Sequence, residues 1–267
     1  MHKFAAFIRR DWQIARTHSV GMIFDFAQTF ATLLSFYFIG KLVPAHGASS
    51  LQPYGGDYFR FALVGIVFGM VMSAAYGTVT ETISFERGQG TLEAMLLTPT
   101  SFLTIVGIKA AWDLLRAAAK VALYLIIGVW IFGVSFAQAA WGSALVTATL
   151  IALVFLGLGM FSGAAIFVLR ETGSVETIFG WLSRLLGGVY FPVAVLPSAL
   201  QRLARWLPLT AGLEGIRQGL TSGASLNQIR RPLMLLGILA IAVVPSGLAL
   251  LRWSMTLARR QGTLGFE

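Results

Sequence analysis

Six runs of mostly apolar residues, each about the length needed to cross a bilayer, constrain this chain more than any other feature. They extend roughly over Val20 to Val43, Phe61 to Thr80, Leu114 to Val134, Ser143 to Leu169, Ile178 to Leu196 and Leu233 to Leu251. A spanning helix needs about 20 such residues. Continuous runs argue against a barrel, whose strands are about ten residues long and alternate in polarity. Composition agrees: of 267 residues, 57% are apolar and 12% charged, about half the charged share of a soluble protein. Disorder, a disulfide-stapled secreted domain and an ordinary cytosolic enzyme are excluded on the same grounds. The expected fold is an all-α integral membrane protein with six transmembrane helices over 20–251. Its fifth span is interrupted by Arg184 and crowded at its end by Pro192 and Pro197.

An even number of spans places both termini on one side. Lys3, Arg9, Arg10, Arg16, Arg87, Lys109, Arg116, Lys120, Arg170, Arg184, Arg252, Arg259 and Arg260 fall on that side, thirteen of the 20 basic residues. The bias predicts cytoplasmic termini. Against it, Arg202, Arg205, Arg217, Arg230 and Arg231 crowd one connection on the opposite side. The net charge of +9 therefore suits topology and anionic headgroups, with no need for nucleic acid. Charges and Asp11 precede any apolar run, so a cleavable signal peptide is not expected.

Several pieces do not span. Phe4, Ile8, Trp12 and Ala15 recur at helical spacing, which predicts an amphipathic interfacial helix over 1–19; a plain topology flank has the same charges. Residues 81–100 form the largest hydrophilic stretch on the cytoplasmic side, with Glu81, Glu86, Arg87 and Glu93 around Gly88 and Gly90. The glycines predict a turn followed by a short helix, with Thr91 as cap, Glu93 in the first turn and Pro99 limiting the end. Such a helix can dock a cytosolic partner, although a solvated loop reads the same way. A helix beginning near Ser101 carries Lys109, Asp113, Arg116 and Lys120 on one stripe, facing headgroups and water, lining a substrate entrance or meeting acidic residues of a partner. Asp25 and Arg184 lie within spans close to their cytoplasmic ends. Residues 197–232 hold two short proline-broken helices, one from Ser198 through Leu207 ended by Pro208, one starting at Thr210; both are read as re-entrant or interfacial. Gly65 with Gly69, and Gly159 with Gly163, are spaced for close helix packing. A cytoplasmic tail is expected over 252–267.

Motifs of catalysis are missing. No phosphate-binding loop, metal-ligand cluster or nucleophile elbow occurs, so the chain is not read as an enzyme and is expected to bind no cofactor.

Two segments together resemble the membrane subunits of type-2 ATP-binding-cassette exporters. One is Glu86, Arg87, Gly88, Gln89, Gly90, Thr91, Leu92, Glu93 through Leu96, Leu97, Thr98 and Pro99, similar to that family's coupling segment. The other runs from Gly188 through Phe191, Pro192, Leu196 and Pro197 to Pro208, Thr210, Glu214 and Arg217, similar to the family's fifth span and re-entrant helices. The resemblance implies a permease of the bacterial inner membrane, paired with a second copy as a homodimer or with a close relative. It also implies two separately encoded cytosolic ATPases, which hold ATP and Mg and dock on Glu86 to Pro99. Glu86, Arg87 and Glu93 would carry that contact by charge, and Leu96 and Leu97 by apolar packing. The cargo is expected to be amphipathic or lipid-like. Two other readings stand beside it: a non-transporting membrane anchor or assembly subunit, and an ion-coupled secondary carrier. The carrier predicts deep acidic sites in matching halves, which the sequence lacks.

Overall fold

A computed structural model describes residues 19–42, 49–92, 95, 101–169 and 174–261. Among them are eight α-helices and no strand. The helices are α1 (Ser19–Leu42), α2 (Tyr58–Gly88), α3 (Phe102–Trp130), α4 (Trp141–Leu169), α5 (Ser174–Leu186), α6 (Ser198–Ala204), α7 (Pro208–Ser222) and α8 (Arg230–Gln261). The expected helix over 1–19 lies outside the described residues, apart from Ser19. So do Glu93, Leu96, Leu97, Thr98 and Pro99.

Local chemistry sets the helix ends. The Asp57 carboxylate accepts from the backbone N–H groups of Phe59 and Arg60 and starts α2. Ser101 does the same for α3 through Thr104 N–H at 3.2 Å, where the sequence placed a helix start. Pro208 differs from expectation: it opens α7 at the first helical position and so places Thr210 inside that helix. Proline suits that position because the N–H it lacks would have no intrahelical partner there. Gly223, with φ +65°, closes α7 in the left-handed conformation.

Four described helices are long and apolar enough to span: α1 from Ile23, α2, α4 to Val168, and α8. Helix α3 has the length, with 29 residues, but carries the charged stripe. The fifth expected span is not one continuous helix. Helix α5 has 13 residues and ends at Leu186, because Gly187 and Gly188 follow, the latter at φ +78°, and Pro192 then begins a short 3-10 turn over Val193–Val195. At the other end of the chain, α8 continues past Leu251 to Gln261.

Helix α2 is the central post. Its buried residues run from Phe59 to Glu86, on nearly every side of the helix. Helix α4 lies against it at backbone distance: a Cβ on Gly159 would collide with the Tyr76 carbonyl group, and one on Gly163 with the Val79 side chain. The Gly159 and Gly163 pair thus does the work its spacing suggested. The other pair splits. Gly65 has no room for a Cβ, whereas Gly69 has nothing within 4 Å. Helix α8 meets α4 where Gly247 faces the Gly157 carbonyl.

The charged stripe of α3 is paired along its length, buried at Asp113 and still exposed at Arg116 and Lys120. Asp113 is 7% exposed and accepts from Lys109 Nζ at 2.9 Å, from Arg116, and from Thr78 Oγ1 of α2 at 3.2 Å. Lys120 reaches across to pair with Asp25 of α1. Arg184 of α5 donates to Ser73 Oγ of α2 at 2.6 Å. Every in-span charge flagged from the sequence is therefore partnered by another helix or by its own stripe, as charges at this depth require. At its other end α1 is held by aromatic contacts. Tyr37 lies 5.3 Å from Phe59 and 4.9 Å from Phe132, ring centre to centre.

Candidate functional site

Two places on α2 gather the residues that the sequence singled out. The first is the turn at its C-terminal end. Glu86 is 6% exposed, and its Oε2 accepts from the Thr91 hydroxyl at 2.6 Å while its backbone carbonyl accepts from Thr91 N–H at 2.9 Å. Gly90, at φ +67°, lets the chain reverse between them. The Thr91 hydroxyl donates back to Glu86, and the Thr91 carbonyl accepts from Met95 N–H at 2.9 Å; the N–H groups that Thr91 is expected to cap lie outside the described residues. Leu92 is 2% exposed. It is buried among Val79 and Ile83 of α2, Phe102 and Val106 of α3, and Leu251 and Met255 of α8. Arg87 is half-buried, while Gly88 and Gly90 are exposed. Buried Glu86 and Leu92 hold the turn from inside, and its glycines face outward.

The second place is the grip of α7 on the first turns of α2. Arg217 is 3% exposed. It donates from Nε and Nη2 to the Phe61 carbonyl at 3.3 and 3.0 Å, from Nη1 to Gly188 at 2.7 Å, and from Nη2 to Val189 at 3.1 Å. Its guanidinium lies 3.4 Å from the Phe61 ring centre, a cation–π contact strengthened by exclusion of water. The missing Cβ of Gly65 leaves room for this group and for the Val189 carbonyl. Beside it, burial pushes the Tyr54 phenol above its ordinary pKa; Glu214 adds to the rise and the Arg217 charge opposes it. One side chain therefore joins α2, α7 and the chain that follows α5.

Helix α7 also seats itself on α4 through three glycines. A Cβ on Gly212 would run into Ile151, one on Gly215 into Thr147, and one on Gly219 would press on Ala144. Contacts move toward the start of α4 as α7 advances, so the two helices run antiparallel. The Ala140 N–H donates to the Gly219 carbonyl at 2.8 Å.

The remaining residues singled out after α5 fall around this grip. Pro192 is buried and Phe191 half-buried. Leu196 is tied down through its carbonyl, which accepts from Gln201 Nε2 at 2.8 Å, and Pro197 precedes α6. Thr210 Oγ1 is buried without a hydrogen-bond partner. Glu214 is exposed and accepts from Gln218 at 3.2 Å. The structure brings Phe61, Gly65, Gly188 and Arg217 together, with Glu214 one turn before Arg217 on α7 and acting on the same Tyr54. Sequence reasoning missed the Asp113 clamp and the Gly212, Gly215, Gly219 row; that row was visible as glycines at helical spacing.

The architecture is that of a helical membrane protein with one buried turn at its centre post, and comparison with known proteins decides the family. A model of the ABC-2 type transporter matches residues 2–221. The chain belongs to the ABC-2 type transporter family. It is 31% identical over 172 residues to nodulation protein J of Rhizobium leguminosarum bv. trifolii, a match covering 61% of this chain and 62% of that protein. It is 30% identical over 199 residues to nodulation protein J of Rhizobium leguminosarum bv. viciae, covering 71% of each. With the inner membrane transport permease YadH of Escherichia coli K12 it shares 24% identity over 188 residues, covering 70% of this chain and 72% of that one. The ABC-2 family comprises membrane-embedded transport subunits that lack an ATPase motif and work with an ABC ATPase. This agrees with the absence of a phosphate-binding loop from the sequence.

Proposed function

We propose that this ABC-2 chain is the permease subunit of an exporter, moving an amphipathic or lipid-like cargo out of the cytoplasm with ATP hydrolysed by a separate subunit. The observation that carries the reading is the continuity of α2. Its 31 residues form one rod of about 46 Å at helical rise, with the Glu86 turn at one end and the Arg217 grip at the other. Two cytosolic ATPases, which hold the ATP and Mg, dock on Glu86 to Pro99. Glu86 and Leu92 fix the turn from within, while Arg87, Glu93, Leu96 and Leu97 complete the contact. Closure of the ATPases displaces the turn. A continuous helix then passes that displacement to Phe61 and, through Arg217, to α7, shifting the balance of inward and outward states.

In this reading the chain spans six times in the bacterial inner membrane with both termini cytoplasmic. Helices α1, α2, α3, α4 and α8 account for five crossings, and α5 with the chain to Leu196 makes the sixth. Helices α6 and α7 dip back from the outer side. Burial of α7 against α4 supports this, because non-spanning helices at membrane depth need protein around them. Two copies pair as a homodimer around the cargo path, α1 and α8 each retaining exposed apolar residues such as Phe24, Phe38, Ile238 and Ile241. An anchor or assembly subunit would use the same turn without moving cargo. A secondary carrier fits less well, since the in-span acids Asp25 and Asp113 are both occupied in ion pairs.

Gly90→Val tests the docking. Nothing lies within 4 Å of Gly90, so the variant strains only the backbone, by about 1–2 kcal/mol for a side chain in the left-handed region. Wild-type chain is expected to co-purify with its ATPase. The variant is expected to fold, retaining full helical circular dichroism, and to lose most of that ATPase. Undiminished co-purification would place the docking surface elsewhere.

A further inference from the structure

We infer that the recess between α6 and α8, lined by Arg202, Arg205, Trp206 and Leu235, seats one anionic phospholipid. The recess has a volume of about 380 Å³, at the small end of the roughly 300–1,000 Å³ of small-ligand sites. Arg202, Arg205 and Trp206 are exposed, Trp206 at 77%. Of the five arginines between Leu196 and Pro232, Arg217 is spent on backbone carbonyls. Glu214 is the only acid in that stretch, and it is hydrogen-bonded to Gln218. The recess is walled mainly by apolar atoms, and Arg202 and Arg205 of its lining bring two exposed guanidinium groups, whose fork matches phosphate oxygens, with no carboxylate of the connection to neutralise them.

Position along α8 selects a lipid as the source of that phosphate. Leu235 follows Arg231 by one turn, about 6 Å. On the same helix Met234 and Ile238 are 63% and 67% exposed. The recess thus sits where a charged helix start gives way to an apolar, outward-facing surface. A phosphate held by Arg202 and Arg205 leaves its acyl chains to run over Leu235, Met234 and Ile238, and the Trp206 ring occupies the amphipathic boundary where indoles concentrate. The exposed arginines have no carboxylate partner in the connection, and the headgroup phosphate supplies one. The placement of this lipid in the outer leaflet rests on the six-span reading above; the seat itself does not.

The test measures phosphatidylglycerol bound to the purified full chain by native mass spectrometry, against phosphatidylcholine. Wild type is expected to retain one phosphatidylglycerol per chain in preference to phosphatidylcholine. R202Q/R205Q is expected to weaken it by about fivefold for each arginine removed, and R202K/R205K by less. R230Q/R231Q removes the same charge outside the recess and is expected to have a smaller effect. Circular dichroism checks that each variant retains its helices. Equal loss in both glutamine pairs, no loss in R202Q/R205Q, or full competition by inorganic phosphate would overturn the lipid seat. Separately, Arg202→Cys in this cysteine-free chain is expected to react with a membrane-impermeant maleimide from outside the cell. Labelling only from the cytoplasmic side would overturn the leaflet and the six-span reading together, leaving the phosphatidylglycerol preference to stand or fall on the first measurement.

Discussion

Arg217→Met is expected to destabilise the chain, because it strips the donor from the Gly188 and Val189 carbonyls, a gross cost of about 2–6 kcal/mol at about 1–3 kcal/mol for each buried acceptor left alone. Relief from burying a charge offsets part of that cost. The side chains are of similar length, so lost packing is a minor share. Unfolding in mixed micelles by a graded denaturant reads the difference. Arg217→Lys is expected to recover little of it. A single ammonium cannot reproduce a fork that donates to Phe61 on one side and to Gly188 and Val189 on the other at 2.7 to 3.3 Å. Wild-type stability in Arg217→Met would mean that the grip between α2 and α7 is incidental.

The second large effect concerns the seam between α2 and α4. Gly159→Ala places a methyl group 3.1 Å from the Tyr76 carbonyl carbon, which backbone can relieve only by moving one helix off the other. The expected cost is about 1–3 kcal/mol, accompanied by loss of any activity that depends on α2 moving as a unit. Gly69→Ala is the matched control. It sits on the same central helix with nothing within 4 Å and gains up to about 1 kcal/mol of helix propensity. Opposite signs for the two alanines are the expected result in one denaturation series. Equal effects would show that the close approach at Tyr76 is not what holds these helices.

Those two glycines also show what kind of information the sequence carried. Four-residue spacing identified Gly159 with Gly163 and Gly65 with Gly69 alike, since spacing reports which residues share a helix face. Which face meets a neighbour depends on the packing of segments far apart in the chain, and Gly69 turned out to face open space. The same limit governs the arginines between Leu196 and Pro232. Arg217 reads like its neighbours Arg202 and Arg205 in composition, yet α7 folds under and buries it, because the glycines at 212, 215 and 219 admit that helix to the surface of α4. The start of α3 at Ser101 was legible, being a local matter of capping. The end of α5 was legible only as a warning, from Pro192 and Pro197; the break comes earlier, at Gly187 and Gly188. Glu86 and Thr91 both stood out within 86–99, Thr91 as a helix cap, but charge alone suggested an outward-facing glutamate. Its burial follows from Leu92 being drawn into the cluster shared by α2, α3, α4 and α8.

We propose that the α2 rod turns a push at the Glu86 turn into movement at the Arg217 grip and so moves cargo. The most direct measurement is ATP-dependent disappearance of a fluorescent amphipathic lipid from the outer leaflet of inside-out vesicles containing this chain and its ATPase, compared with vesicles containing Gly90→Val. The expected result is an ATP-dependent loss of accessible label with wild type and none with the variant. Label that stays accessible with wild type, while the complex is intact and hydrolyses ATP across a panel of lipids, glycolipids and drugs, would contradict export and leave the chain an anchor.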